Sequence, residues 1–165
     1  MIEKLALLVR FWALKTRHAT GEPLDDHEQL ELLSLLQLVT NDLRVPEEGR
    51  CRRPASAVRA QLIGEGSVAS VELRFVGAAA LVVAAPGPLP RGARVVLRAT
   101  DAVAGVEYTL PCAVLWAHGQ DPVTVALEVD GVPHCVAFGA GVCAAPRPSY
   151  PPGLGGFGRK ARLVA

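Results

Sequence analysis

The chain has 165 residues, half of them apolar, and 17 Lys and Arg against 16 Asp and Glu give a net charge of +1. That length suits one domain with an accessory piece, and that apolar fraction supports a real core, which excludes whole-chain disorder. The charge balance supplies no global attraction to nucleic acid or anionic lipid.

Charge is uneven locally. Arg50, Arg52 and Arg53 sit together, and Arg147, Arg159, Lys160 and Arg162 make residues 146–165 basic with no acid. Cys51, Cys112, Cys135 and Cys143 form no C-x-x-C pair. Zinc sites in small domains show such pairs, so the cysteines read as reduced thiols; His134-Cys135 with Cys143 is the grouping nearest to ligand spacing. The first 14 residues are apolar, but Glu3 and Arg10 interrupt them in a way that argues against a secretory leader. No apolar run nears the roughly 18 residues of a membrane span. A cytoplasmic protein is expected.

In chain order, residues 2–19 read as a helix. Ile2, Leu5, Val9 and Trp12 make an apolar stripe that Leu8 and Phe11 widen. Lys15, Arg17 and His18 complement the negative end of the helix dipole, and Gly21 supplies a stop. The stripe reads as packing rather than membrane-surface binding, because the basic residues are few and lie at one end. After Gly21-Glu22-Pro23, Asp25 with Glu28 forms an Asp variant of the capping box. The second helix is so leucine-rich (Leu30, Leu32, Leu33, Leu35, Leu36, Leu38) that one face cannot absorb all of it. One face is expected to meet the first helix as an αα-hairpin. The remaining leucines are expected to meet either the β domain or a second copy of the chain.

A linker over residues 41–54 leads to strands expected at 56–63, 68–76, 78–85, 93–99, 106–118 and 123–129. Alternation points Val71, Leu73 and Phe75 one way and Glu72 and Arg74 the other. The segment 78–85 is wholly apolar, and Gly87-Pro88-Leu89-Pro90-Arg91-Gly92 forces a loop. Pro111 inside the long fifth strand predicts an edge or a bulge. In-phase placement assigns Phe75, Tyr108 and Trp116 to the core. Residues 132–145 read as either a short helix or a strand, and the Pro- and Gly-rich residues 146–158 read as loop. These elements predict a mainly β (α+β) chain. A two-helix hairpin over residues 1–45 precedes a six-stranded antiparallel barrel over 46–135, and 136–165 form a C-terminal segment with a basic tail.

The order of these pieces resembles a PilZ domain. An Arg-rich linker is followed by a strand leading to Gly77-Ala78-Ala79, then by Leu89-Pro90-Arg91-Gly92. Val114-Leu115-Trp116 and Val125-Ala126-Leu127-Glu128-Val129 close the sequence. The resemblance covers roughly residues 50–135, and a helical addition precedes some PilZ-like domains of motile bacteria. It implies cyclic di-GMP as ligand, bound through R-x-x-x-R before the barrel and [D/N]-x-S-x-x-G after the second strand. Guanidiniums would serve the phosphates and guanine edges, and glycine would let the backbone approach. Both motifs depart from the pattern here. With Arg52 at the second arginine, Glu48 stands at the first. Against the second motif Gly77 matches, Glu72 is a longer acid, and Arg74 replaces the serine. The expectation is therefore no cyclic di-GMP binding by the usual geometry. A non-standard site would use Arg52, Arg53, Arg74 and Gly77.

Other chemistry finds no constellation. His18, His27, His118 and His134 are scattered, and neither G-x-S-x-G nor a phosphate-loop pattern occurs. Neither an enzyme nor a metal or cofactor site is expected, and eight aromatics are too few for a nucleic-acid stacking platform. The resemblance implies a non-enzymatic regulatory adaptor acting through protein contacts, with bacterial motility or cell polarity as its setting and a cyclic di-GMP receptor as the alternative.

Overall fold

Alternating apolar residues set the strands, and closure of those strands sets the molecule. The computed structural model describes residues 2–47 and 58–138. In chain order the elements are α1 (Ile2–Ala19), α2 (Asp26–Val39), β1 (Val58–Gly64), β2 (Ser67–Val76), β3 (Leu81–Ala85), β4 (Arg94–Asp101), β5 (Val106–His118), β6 (Val123–Val129) and β7 (His134–Ala137). The antiparallel strands run β4-β1-β2-β3-β6-β5, and β4 pairs again with β5, which closes a six-stranded barrel. Closure satisfies backbone groups that an open sheet would leave at its edges. The mainly β architecture with a preceding helix pair agrees with the sequence-based expectation.

Turn chemistry fixes the registers. Gly64 pairs with Ser67, so Glu65-Gly66 is the hairpin loop and Val58 lands opposite Leu73. In β4, Val95, Leu97 and Ala99 enter the core while Arg94 and Arg98 take the outer face, as alternation predicts. Asp101 Oδ1 accepts from the N–H groups of Val103 and Ala104, both at 3.0 Å, and this holds the turn into β5. Gly92 N–H donates to Val114 O at 2.8 Å, so the Leu89–Gly92 loop closes onto β5.

Two β-bulges change the phase of the residues after them. Leu73 lies opposite Val83 but Phe75 opposite Val82, leaving Arg74 as an extra residue in the ladder. Val114 lies opposite Leu127 but Trp116 opposite Ala126, leaving Leu115 extra. One extra residue turns the succeeding side chains to the other face. Of Phe75, Tyr108 and Trp116, only Tyr108 reaches the core; the two others are half-buried on the outer face, contrary to the sequence-based assignment. There Phe75, Val82, Ala126 and Trp116 form a row across β2, β3, β6 and β5.

The third strand is shorter than its apolar segment. Gly77 N–H donates to Ala80 O at 3.0 Å in a tight turn, and β3 begins at Leu81. All of β3 is buried: Leu81, Val83 and Ala85 in the main core, Val82 and Ala84 outside it. At the other end, β7 prolongs the line of β6 along one edge of β5, with Val129 opposite Cys112 and His134 opposite Thr109. The interruption between them falls at Pro111, which has no N–H to give. Its carbonyl accepts from Asp130 N–H at 2.9 Å, and Gly131 folds over it with φ 139°. This is the irregularity that Pro111 predicts. Of residues 132–145, the strand alternative holds over His134–Ala137, and residues 139–145 lie outside the described residues.

α1 is buried over more than half its circumference, through Leu5, Leu8, Val9, Phe11, Trp12 and Leu14. Trp12 Nε1 donates to Ala78 O at 2.9 Å in the buried β2–β3 turn, and Thr16 Oγ1 to Gly131 O at 3.3 Å. These bonds seat the helix across one end of the barrel. α2 lies on α1. Leu24, Leu35 and Val39 are buried there, the Arg10 guanidinium grips Glu31 with two bonds of 2.9 and 2.7 Å, and Arg17 pairs with Glu28. Asp25 caps α2, and both capping-box bonds to Glu28 are present.

Candidate functional site

The candidate residues divide three ways. Arg52 and Arg53 lie outside the described residues, as does Arg50. Arg74 stands on the outer face of β2 at the bulge. Gly77 is buried in the turn after β2, beyond the Phe75 and Val76 backbone. Arg74 lines an open groove of about 470 Å³ with Arg59, Ser70, Glu72 and Asp121; Gly77 does not line it. The structure therefore does not bring Arg74 and Gly77 into one site.

Strand pairing assembles this groove. The β1–β2 register sets Arg59 opposite Glu72 and Gln61 opposite Ser70. Glu72 in turn faces Ala84 of β3, whose small side chain leaves the floor low. Asp121 arrives from the β5–β6 loop. Sequence reasoning missed Arg59, Ser70 and Asp121. The first two were accessible in principle, because a two-residue hairpin loop at Glu65-Gly66 fixes which residues face each other.

The electrostatics are mixed. The Arg74 side chain is only 14% exposed, and its Nη2 lies 3.7 Å from Glu72 Oε2. That separation exceeds a hydrogen bond, so the pair is held by Coulomb attraction alone. Arg74 Nε is buried and makes no hydrogen bond. Two guanidiniums and a hydroxyl can address an anion here, but two carboxylates share the groove. A neighbouring groove reuses Arg59 and Ser70 with Arg98 and Glu107, and Arg98 Nε is 3.3 Å from Glu107 Oε1.

Among the described residues the histidines and cysteines do not cluster. His18, His27, His118 and His134 are exposed and dispersed over separate elements. Burial pushes the Cys112 thiol up to about 12, so it stays protonated near neutrality. Cys135 is exposed beside His134 on β7. Adjacent strand residues point to opposite faces, which separates the two as ligands. Among the described residues no group of three His, Cys, Asp or Glu is placed to hold a metal ion. No helix among them is long and apolar enough to cross a membrane. Comparison with protein-family models and with curated proteins finds no match for this chain, so the PilZ resemblance rests on its motif order alone.

Proposed function

We propose that this protein is a non-enzymatic cytoplasmic regulatory adaptor, built on a PilZ-like barrel that has lost the usual ligand chemistry and acting through protein contacts, in a setting such as bacterial motility or cell polarity. The observation that carries this reading is the charge of the β1–β2–β3 groove. Arg59 and Arg74 are matched there by Glu72 and Asp121. A cyclic dinucleotide brings two phosphodiester charges, and binding them beside two carboxylates costs the attraction that the arginines supply. Isothermal calorimetry with cyclic di-GMP is the test. The expected result is no saturable heat at micromolar protein; saturable binding that disappears in Arg52→Ala/Arg53→Ala overturns the proposal.

One observation favours the receptor alternative. Arg74 Nε is buried with no hydrogen-bond acceptor, so a ligand phosphate that displaced its cover would supply the acceptor this donor lacks. If that alternative holds, Arg74→Ala abolishes the heat of binding, and Gly77→Ala leaves it in place because Gly77 is outside the groove.

A further inference from the structure

β7 pairs along one side only. It meets β5 from Thr109 opposite His134 to Val106 opposite Ala137, and no strand among the described residues pairs with its other edge. Phe138 N–H donates to Gly105 O at 2.7 Å, which continues this register by one residue. Gly105, at φ 64°, permits that approach, because an added Cβ would stand 2.9 Å from Phe138 O. Hydrogen-bonded and non-hydrogen-bonded pairs alternate in an antiparallel ladder. His134, Val136 and Phe138 therefore direct their backbone groups to β5, and Cys135 and Ala137 direct theirs to the open edge. Beside these N–H and C=O groups, Val136 and Phe138 are 60 and 44% exposed. The strand carries neither Lys nor Pro, residues that commonly keep another strand off an edge.

We propose that residues 142–145 of the same chain return along this edge as an antiparallel strand, through a loop over residues 138–141. The chain continues from Phe138 on this edge, so closing the loop is entropically cheap. Gly139 and Gly141 give that loop the backbone freedom a tight hairpin needs. The outward groups of Cys135 and Ala137 fix the register. Ala137 faces Val142 and Cys135 faces Ala144 as hydrogen-bonded pairs, and Val136 faces Cys143 between them. A shorter loop over residues 140–141 would set Pro146, which has no N–H, opposite Cys135. In the proposed register Pro146 falls just past the strand and ends it. Charge agrees with this occupant. Residues 142–145 are uncharged, small and apolar, like the edge itself. Residues 48–57, which also lie outside the described residues, carry Glu48, Arg50, Arg52 and Arg53 and enter β1, from which β7 is separated by β4 and β5. The pairing covers Val136 and shields the edge from strands of other chains.

Amide hydrogen exchange on the full chain is the first measurement. The Cys135 and Ala137 amides are expected to exchange slowly at every protein concentration. Ala144→Pro, which removes the N–H that Cys135 O would accept, is expected to return the Cys135 amide to the rate of an exposed peptide. Open-chain exchange at both amides overturns the proposal, as does protection that survives Ala144→Pro. Protection that rises with protein concentration also overturns it, because the cover is then a second copy.

The second measurement fixes the register. Residues directly opposite in a non-hydrogen-bonded pair lie about 4.5 Å apart at Cα, within the range a disulfide spans. In a Cys51→Ser/Cys135→Ser background, Val136→Cys is expected to oxidise to an intramolecular disulfide with Cys143, at unchanged circular dichroism. Ala137→Cys, on the opposite face, is expected to stay reduced. Equal cross-linking at both positions, cross-linking at neither, or disulfide-linked dimers overturn the proposal.

Discussion

Trp12 shows how one polar atom positions an element. Its ring belongs to the core while its Nε1–H reaches Ala78 O at 2.9 Å, in the buried turn between β2 and β3. Trp12→Phe keeps much of the ring but leaves that carbonyl without a partner, and about 1–3 kcal/mol of stability is expected to be lost in urea denaturation. Gly131 makes a steric demand of another kind. At φ 139° an added Cβ would stand 3.1 Å from Pro111 Cβ, so Gly131→Ala is expected to destabilise by about 1–3 kcal/mol and to loosen the β6–β7 junction. The cysteines separate by burial. In a Cys51→Ser/Cys143→Ser background near pH 8, Cys135 is expected to react at once with a thiol reagent, and Cys112 only as fast as the barrel opens. Rapid modification of both thiols would contradict the burial of Cys112.

At the scale of elements, the α1–α2 hairpin rests on a small apolar seam reinforced by ion pairs. The hydrogen bond from Arg10 holds the Glu31 carboxyl below the usual value of 4.5, and that from Arg17, with the capping bond at Asp25, does the same for Glu28. A depressed folded-state value contributes stability that is fully present above the unfolded value and lost as pH falls through the folded one. Hairpin stability is therefore expected to hold from neutrality down to about pH 5 and to fall below it. Melting curves of the helical signal against pH check this. Arg10→Ala flattens part of the fall, by a modest amount because Arg10 and Glu31 are 47 and 41% exposed. Asp25→Ala removes the capping box and is expected to cost about 1 kcal/mol at neutral pH. Helix boundaries and this cap were legible in the sequence because both depend on residues within a turn or two of each other. The bulges at Arg74 and Leu115 were not. An extra residue in a ladder is defined by the partner strand, so alternation within β2 or β5 alone continued past it and carried Phe75 and Trp116 inward.

For the whole molecule, stability is expected to concentrate where the barrel closes. Leu73, Leu97, Leu110 and Leu127 are fully buried and come from four different strands. Leu97→Ala, on the strand that pairs with both β1 and β5, is expected to cost about 2–5 kcal/mol with a single unfolding transition. Native-state hydrogen exchange should show these strands opening last and α2 first, since α2 buries only Leu35 and Val39 of its own residues. Protection in α2 equal to that of β4 and β5 would contradict this order.

Local sequence was enough to set the two helices, the cap, the turns at Gly64–Gly66 and Leu89–Gly92, and the number of strands in the barrel and their approximate places along the chain. Each of these follows from propensity, periodicity or turn chemistry acting over a few residues. It also named Arg74 as a candidate, but not the company Arg74 keeps. Assembly of the barrel settled that Arg59, Ser70 and Asp121 join Arg74 while Gly77 does not, because three strands and a loop must first come into register. Assembly likewise settled which leucines of α2 are covered. Composition supplied more leucines than one seam can bury, and only the docking of α2 on α1 left Leu30, Leu33 and Leu36 facing outward.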